Sequence, residues 1–468
     1  MGLFSQNPRN GSLYFKGQNL KSIKIFIYIL LSFCLLNEIA LAEKVKTNIK
    51  KEIQKKNAPF DTYELKGQQD GTTLLVIGGI HGDEPGGFFA PALLVDFYQI
   101  KKGKVIVVPN LNPDSILAFR RGIYRDMNRK FATIKRNDPD FDNIQAIKKL
   151  ITDEEVDFII NLHDGHGFYR EKWENSIFNP KAWGQTYVID QKTLDNVAFG
   201  DLDSIAKQIE SKLNQRLHYD FHTFGVRNTE TRIKDEEQQN SLTFFAITHL
   251  KPALAIETSK NITELPLKTL YQLSSIEALM EILGIEFERK FDLNLENVTQ
   301  KVNDFGSVKI NHNVTLDLNG IRSLINFTPL LAQNNVFDFT HPLGRAKKTK
   351  EGYEIYIGHK RISLLKPDVF PMQCDVKEVE IELDKKSIKA NFGETLDFQQ
   401  NFLIRGQTGV RVNVIGYSKK GIVSEHGLTI DKENIDKRYS LDRAKNIFRA
   451  EFYQGKNFCG MINLRTKE

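Results

Sequence analysis

Residues 74–87 read LLVIGGIHGDEPGG. Four aliphatic residues in a row stop abruptly at Gly78-Gly79, which reads as a short buried strand ended by a tight loop. The following stretch, 86–100 (GGFFAPALLVDFYQI), is helix-like. The alternation continues outward. Residues 105–108 (VIVV) form a β-branched buried strand, 143–153 an amphipathic helix, and 156–162 (VDFIINL) another strand. Helices over 201–216 and 264–284 enclose a strand at 252–257 (PALAIE). Strands separated by helices imply an α/β sheet with parallel pairs over about 60–285.

The texture changes after about 290. Short alternating runs dominate, among them GSVKI, VTLDL, YEIYI, VEIEL, VRVNVIGY and AEFYQG, and helical periodicity is nearly absent. This predicts all-β units of barrel or sandwich type. A break near 366–371 (KPDVFP) divides them into a smaller middle unit and a last unit of about 100 residues, a usual size for a sandwich. The basic run Arg345, Lys347, Lys348, Lys350 reads as a solvated loop.

The chain has 468 residues, 40% hydrophobic and 26% charged, enough to build a core. Its formal charge of +6 comes from 65 basic and 59 acidic residues. With no basic stripe and no nucleic-acid motif beside so small an excess, nucleic-acid binding is disfavoured. Three cysteines exclude a disulfide-stapled scaffold and a Cys-rich structural zinc site.

Residues 25–36 (IFIYILLSFCLL) follow Lys21 and Lys24 and precede Ala40-Leu41-Ala42. A charged n-region, an apolar h-region and a small-x-small cleavage site make 1–42 a secretory signal peptide. The apolar run is shorter than the ~20 residues that span a bilayer, so no stable membrane anchor is expected after cleavage. Cleavage lowers the formal charge to +3 and removes Cys34. Cys374 and Cys459 remain and could pair in an oxidising compartment.

Four clusters carry chemistry. His81 and Glu84 lie three apart in the glycine loop after a strand, and imidazole and carboxylate both suit zinc. His163 ends strand 156–162, where ligands of open α/β sheets gather, and completes a His₂Glu donor set. His166, further into the same loop, is the second candidate. Arg120, Arg121, Arg125, Asn128 and Arg129 are dense enough to require an anionic partner, and a guanidinium grips a carboxylate with two bonds. Glu257 closes an apolar strand, a costly place for a carboxylate that is neither bonded nor functional.

In this order, H-x-x-E (His81, Glu84), D-x-N-R-x-F (Asp126, Asn128, Arg129, Phe131), a strand-end L-H (Leu162, His163) and a late strand Glu (Glu257) resemble the zinc metallocarboxypeptidases and aspartoacylase-type deacylases. The resemblance covers roughly residues 60–285. It implies one zinc held by His81, Glu84 and His163, and a substrate carboxylate held by Asn128 and Arg129. It further implies that Arg121 steadies an oxyanion and that Glu257 is the general base. No tyrosine takes the substrate-capping place.

The whole layout is similar to the peptidoglycan D,L-carboxypeptidases that set cell shape in helical Gram-negative bacteria. That similarity implies a carboxypeptidase-like α/β domain over 43–288 with a mixed sheet flanked by helices. A barrel-like β domain over 289–368 and an immunoglobulin-like sandwich over 369–468 would follow. Trp183 and Thr243 fall where such enzymes contact substrate, and the implied setting is the periplasm with muropeptides as partners.

Overall fold

The computed structural model describes residues 59–467. The signal-peptide expectation for 1–42 and the site of Cys34 lie outside the described residues. No helix among the described residues is long and apolar enough to cross a membrane.

The N-terminal half is built on an eight-stranded mixed sheet. Its strands are β1 (Tyr63–Lys66), β2 (Gln69–Ile77), β3 (Tyr98–Val108), β4 (Phe158–Gly165), β5 (Thr186–Ile189), β6 (Gly225–Asn228), β7 (Ala253–Ser259) and β8 (Glu286–Arg289). They run in the order β1-β3-β2-β4-β7-β5-β6, and β8 pairs with the first part of β3 on the edge that β1 shares. The centre, β3-β2-β4-β7, is parallel, while β7-β5 is antiparallel. Continuous burial of Leu74 to Ile77 and of Phe158 to Gly165 reflects a sheet covered on both faces.

Helices α1 (Pro85–Phe97), α2 (Pro113–Ala118), α3 (Phe141–Ile151), α4 (Leu202–Asn214), α5 (Leu242–Thr248) and α6 (Leu265–Ile282) supply that cover. On α3 the spacing Ile144, Ile147, Ile151 makes one apolar face, and all three side chains are buried. Each stabilises the fold by about 1.5–3 kcal/mol relative to exposure. Lys148 and Lys149 lie in the last turn, where they complement the helix dipole, and Lys148 is half-buried over the Phe245 ring.

The glycines of residues 78–87 let α1 approach β4. A Cβ on Gly86 would sit 2.4 Å from Asp164 Oδ1, and one on Gly87 2.6 Å from the Leu162 carbonyl oxygen. Larger residues there would push the loop bearing His81 and Glu84 away from the strand bearing His163.

The remainder is β-rich and departs from the sequence reading at three places. Leu295–Val302 is an eight-residue helix, capped by Asn294 and burying Val298 and Val302. The stretch 366–371 is also less of a break than its two prolines imply. Strand Lys360–Val369 runs through Pro367 and pairs in parallel with Leu324–Leu330. The basic run is not a loop: Gly344–Lys348 is a strand, and Arg345 donates to Asp61 across 2.5 Å.

Sheets of three and four strands occupy 307–369, and two four-stranded sheets occupy 378–466. The buried residues of the last two sheets share one hydrophobic cluster, including Val379, Ile404, Phe452 and Ile462. The core of the middle sheets is instead continuous with that of the α/β half. His359 stacks on Phe119 and meets the edges of Phe88 and Phe89 from α1. Cys374 and Cys459 form a disulfide with their Cα atoms 5.1 Å apart.

Candidate metal centre and active site

The loop after β2 and the C-terminal end of β4 converge. His81 follows β2, Glu84 is the residue before α1, and His163 lies in β4. His81 Nδ1 is 3.0 Å from Glu84 Oε1, His163 Nδ1 is 2.8 Å from Glu84 Oε2, and the two Nδ1 atoms are 3.2 Å apart. All three side chains are buried. Two tetrahedral ligands at zinc bond lengths stand about 3.3 Å apart, so these donors already lie within a few tenths of an ångström of that spacing.

The outer nitrogens support the same reading. His81 Nε2 donates to Asp126 Oδ1 at 2.8 Å, which leaves Nδ1 its lone pair. His163 Nε2 lies 2.8 Å from the Asn161 side-chain amide, whose Oδ1 is buried without a hydrogen bond. Turning this amide by 180° puts Oδ1 on Nε2–H and frees the His163 Nδ1 lone pair. The donor set therefore fits a metal ion of zinc type. His166, in contrast, is exposed and uses its backbone carbonyl to accept from Trp183 and Gly184.

Arg121 closes one side, donating from Nη1 to Glu84 Oε1 at 3.0 Å and from Nε to Asp126 Oδ2 at 2.9 Å. Its Nη2 has no hydrogen-bond partner among the described residues. Asp126 thus bridges an arginine and a histidine.

Glu257 lies beside His163 in the β4–β7 register and beside Thr186 across β5. Burial pushes its carboxyl well above the usual range, and the nearby Glu84 charge adds to this against Arg121 and Lys260. Glu84 goes the other way. Burial opposes ionisation there, but His81 and His163 outweigh it and hold the carboxyl well below its usual range. The two buried carboxyls are thus driven in opposite directions within one site.

Around these groups is a cavity of about 320 Å³. His81, Glu84, Arg121, Asn128, Arg129, His163, Trp183, Thr243 and Glu257 line it, with His166 at its wall, whereas Arg120 and Arg125 of the arginine cluster do not. Asn128 accepts from the Leu242 backbone N–H at 2.9 Å and so ties the D-x-N-R segment to the start of α5, where Thr243 sits. Arg129 donates to Glu237 at 2.9 Å. Trp183 carries the Arg227 guanidinium 3.9 Å from its ring centroid.

The cavity also holds residues that the sequence reading missed. Lys260 pairs with Asp83 at 2.7 Å and reaches Glu84 at 3.5 Å; its signal was a lysine three residues beyond Glu257. Asp190, buried and bonded to Thr231 Oγ1 at 2.5 Å, had no motif around it. Among the described lining residues there is no tyrosine.

Similarity to known proteins agrees with this geometry. Residues 20–303 match the family described as the catalytic part of a carboxypeptidase controlling helical cell shape. Residues 372–467 match the C-terminal domain of metallo-carboxypeptidases. The apo structure of the cell shape determinant protein Csd4 from Helicobacter pylori is 34% identical, with a TM-score of 0.83, covering 87% of this chain and 100% of that one. Its tripeptide-bound structure is 34% identical with a TM-score of 0.82 and the same coverage. The mDAP-bound structure, described as a D,L-carboxypeptidase, is 35% identical with a TM-score of 0.82, covering 86% of this chain and 100% of that one. Among curated proteins, the DNA-directed RNA polymerase subunit beta of Fervidobacterium nodosum is 29% identical over 140 residues. The chain spans only 11% of that relative's length.

Proposed function

Since this chain belongs to the family of metallocarboxypeptidases that control helical cell shape, we propose that it is a periplasmic zinc D,L-carboxypeptidase of peptidoglycan. It trims tripeptide stems, L-Ala-γ-D-Glu-meso-diaminopimelate, to dipeptides and releases diaminopimelate, thereby affecting cell shape. One observation carries this reading: a His₂Glu donor set, a raised carboxyl and the guanidinium groups of Arg121 and Arg129 share one cavity. The relatives solved with tripeptide and mDAP support the substrate.

His81, Glu84 and His163 hold the ion. Bound there, zinc would activate a water and polarise the scissile carbonyl. Arg129, with Asn128 beside it, grips the terminal carboxylate, exchanging Glu237 for the substrate. That anchor makes the enzyme an exopeptidase. Glu257 takes the proton of the attacking water and hands it to the leaving amine, a sequence that its raised proton affinity favours. Arg121 meets the charge that develops on the carbonyl oxygen with Nη2, while its other nitrogens stay on Glu84 and Asp126. Trp183 and Thr243 shape the far wall.

We read residues 43–288, 289–368 and 369–468 as the catalytic, barrel-like and immunoglobulin-like domains, preceded by a cleaved export signal at 1–42. The two sheets sharing one core in the last unit support its sandwich reading. Digestion of purified murein, with mass spectrometry of the released amino acid, tests the function. Diaminopimelate is the expected product. Release of other amino acids, or cleavage only of N-acyl amino acids, would point to a general carboxypeptidase or a deacylase.

A further inference from the structure

A second, larger cavity of about 1010 Å³ lies between strand Leu324–Leu330 of the middle β unit and the last β unit. It is separate from the catalytic cavity, and the two share no residue. Six cations line it, Arg322, Arg411, Arg438, Arg443, Lys445 and Arg449, against two carboxylates, Asp368 and Glu451. The cations differ in their duties.

Arg322 is structural. It donates to the carbonyl oxygens of Lys437 and Asp442 and to Ser440 Oγ, at 2.8 to 3.2 Å, and next to it Ile321 bridges Asp442. This staple fixes the two walls relative to each other. Arg449 is buried, pairs with Glu451 at 2.9 Å, and donates to the carbonyl oxygens of Asn326 and Phe327. Arg438 is neutralised by Asp436. Arg443 and Lys445 are exposed and make no side-chain hydrogen bond or ion pair among the described residues. Their charge faces a groove already rich in cations, a repulsion that an anionic occupant relieves.

The rim adds aromatic surface. Phe327 is 68% exposed and has a φ of 53°, the left-handed region that a phenylalanine enters only at a cost. The strand bulges between Ile325 and Thr328, and the Arg449 bonds hold the bulge in place. A buried arginine thus maintains a strained backbone that presents an aromatic ring to water. Tyr439, on the facing wall, is 51% exposed. Exposed aromatics beside unpaired cations suit a ligand with both apolar ring faces and carboxylates.

We infer that this groove is a second binding site that takes the wall polymer itself, a glycan strand whose stem carboxylates meet Arg443 and Lys445 while its sugar faces lie on Phe327 and Tyr439. The inference rests on the murein reading above for the identity of the polymer. The β units then hold the strand while the distant cavity trims one stem after another, an intramolecular arrangement that raises the effective stem concentration.

The test uses the full mature chain. Co-sedimentation with purified murein sacculi is measured for the native protein, for R443E/K445E and for F327A, at low and high salt. In parallel, cleavage of the soluble tripeptide is followed. The expected result is roughly tenfold weaker sedimentation of R443E/K445E at low salt and a smaller loss for F327A; at high salt R443E/K445E converges with the native protein while the F327A loss persists. Tripeptide cleavage stays at the native rate in both variants, which also reports that they fold. Sacculi whose carboxylates have been amidated should bind the native protein as weakly as the charge-reversal variant. Equal sedimentation of native and variant on untreated sacculi overturns the inference. So does retention on anionic lipid vesicles with the same variant dependence but none on murein. If the native chain fails to cleave tripeptide yet sediments in a groove-dependent way, the catalytic reading fails and the groove stands.

Discussion

His163 and Glu257 are register partners in the parallel pairing of β4 with β7. A proposed metal ligand and a proposed general base thereby sit on adjacent strands, about 5 Å apart in backbone position. No loop motion is required to bring them together, because the hydrogen-bonded ladder at the centre of the sheet sets their spacing. The glycine loop needs to deliver only His81 and Glu84 to a place that the sheet has already defined.

Glu257→Gln keeps the shape of this pair and removes the base. Turnover of the tripeptide is expected to fall by about 10²–10⁴-fold, with metal content and substrate affinity near native. Metal analysis beside single-turnover kinetics checks it, and near-native turnover would remove Glu257 from the mechanism.

The metal centre separates the two histidines of the N-L-H-D-G-H segment. His163→Ala is expected to strip the ion and His166→Ala to retain it, since only His163 joins the cluster with His81 and Glu84. The reverse outcome in zinc titrations would reassign the ligand.

Asp126 and Asn161 hold the outer nitrogens of His81 and His163. Substituting either by Ala should weaken zinc binding by about 10–100-fold without changing the number of ions bound. Competition with a chelator of known affinity measures this. Unchanged affinity in both variants would mean that the backbone alone orients the rings.

Arg129→Lys retains charge and loses the two-pronged geometry. KM for the tripeptide should rise about tenfold or more, a loss within the ~1.5–3 kcal/mol of a charged hydrogen bond. The C-terminal amide of the tripeptide should be a poor substrate for the native enzyme. Equal rates on acid and amide would rule out a carboxylate anchor.

A pH effect is expected from a histidine outside the catalytic cavity. Burial, with help from the Lys360 and Lys268 charges, pushes the His359 imidazole down to about 4. An unfolded histidine titrates near 6.5, so between pH 6.5 and 4 the unfolded chain binds the extra proton. Folded stability should therefore fall as pH drops through that window, by about 1–3 kcal/mol from this residue, and level off below it. His359→Phe keeps the aromatic contacts with Phe88, Phe89 and Phe119 and should flatten that part of the curve. Thermal melts of both proteins from pH 7 to 4 make the comparison, and parallel curves would refute the assignment.

Local pattern in the sequence was enough to mark the α/β half. The runs 74–78 and 156–162 are apolar and bounded by glycine or polar residues, and strand character follows from near neighbours alone. The same holds for His81, Glu84 and His163, because each abuts a strand end. Where pattern was weak, the reading failed. The helix Leu295–Val302 is only eight residues long, and Pro367 stands in a strand whose other bonds still form. Sequence alone also left the cysteines open, since 85 residues separate Cys374 from Cys459. What tertiary structure decided were meetings between distant segments: Asp126 with His81, Asn128 with the start of α5, Trp183 with Arg227, and two β units stapled by Arg322 into a cationic groove. Periodicity and residue type encode what a segment does with its own neighbours, whereas strand register and core packing determine which remote side chains share a cavity, and those emerge only when the whole chain is folded.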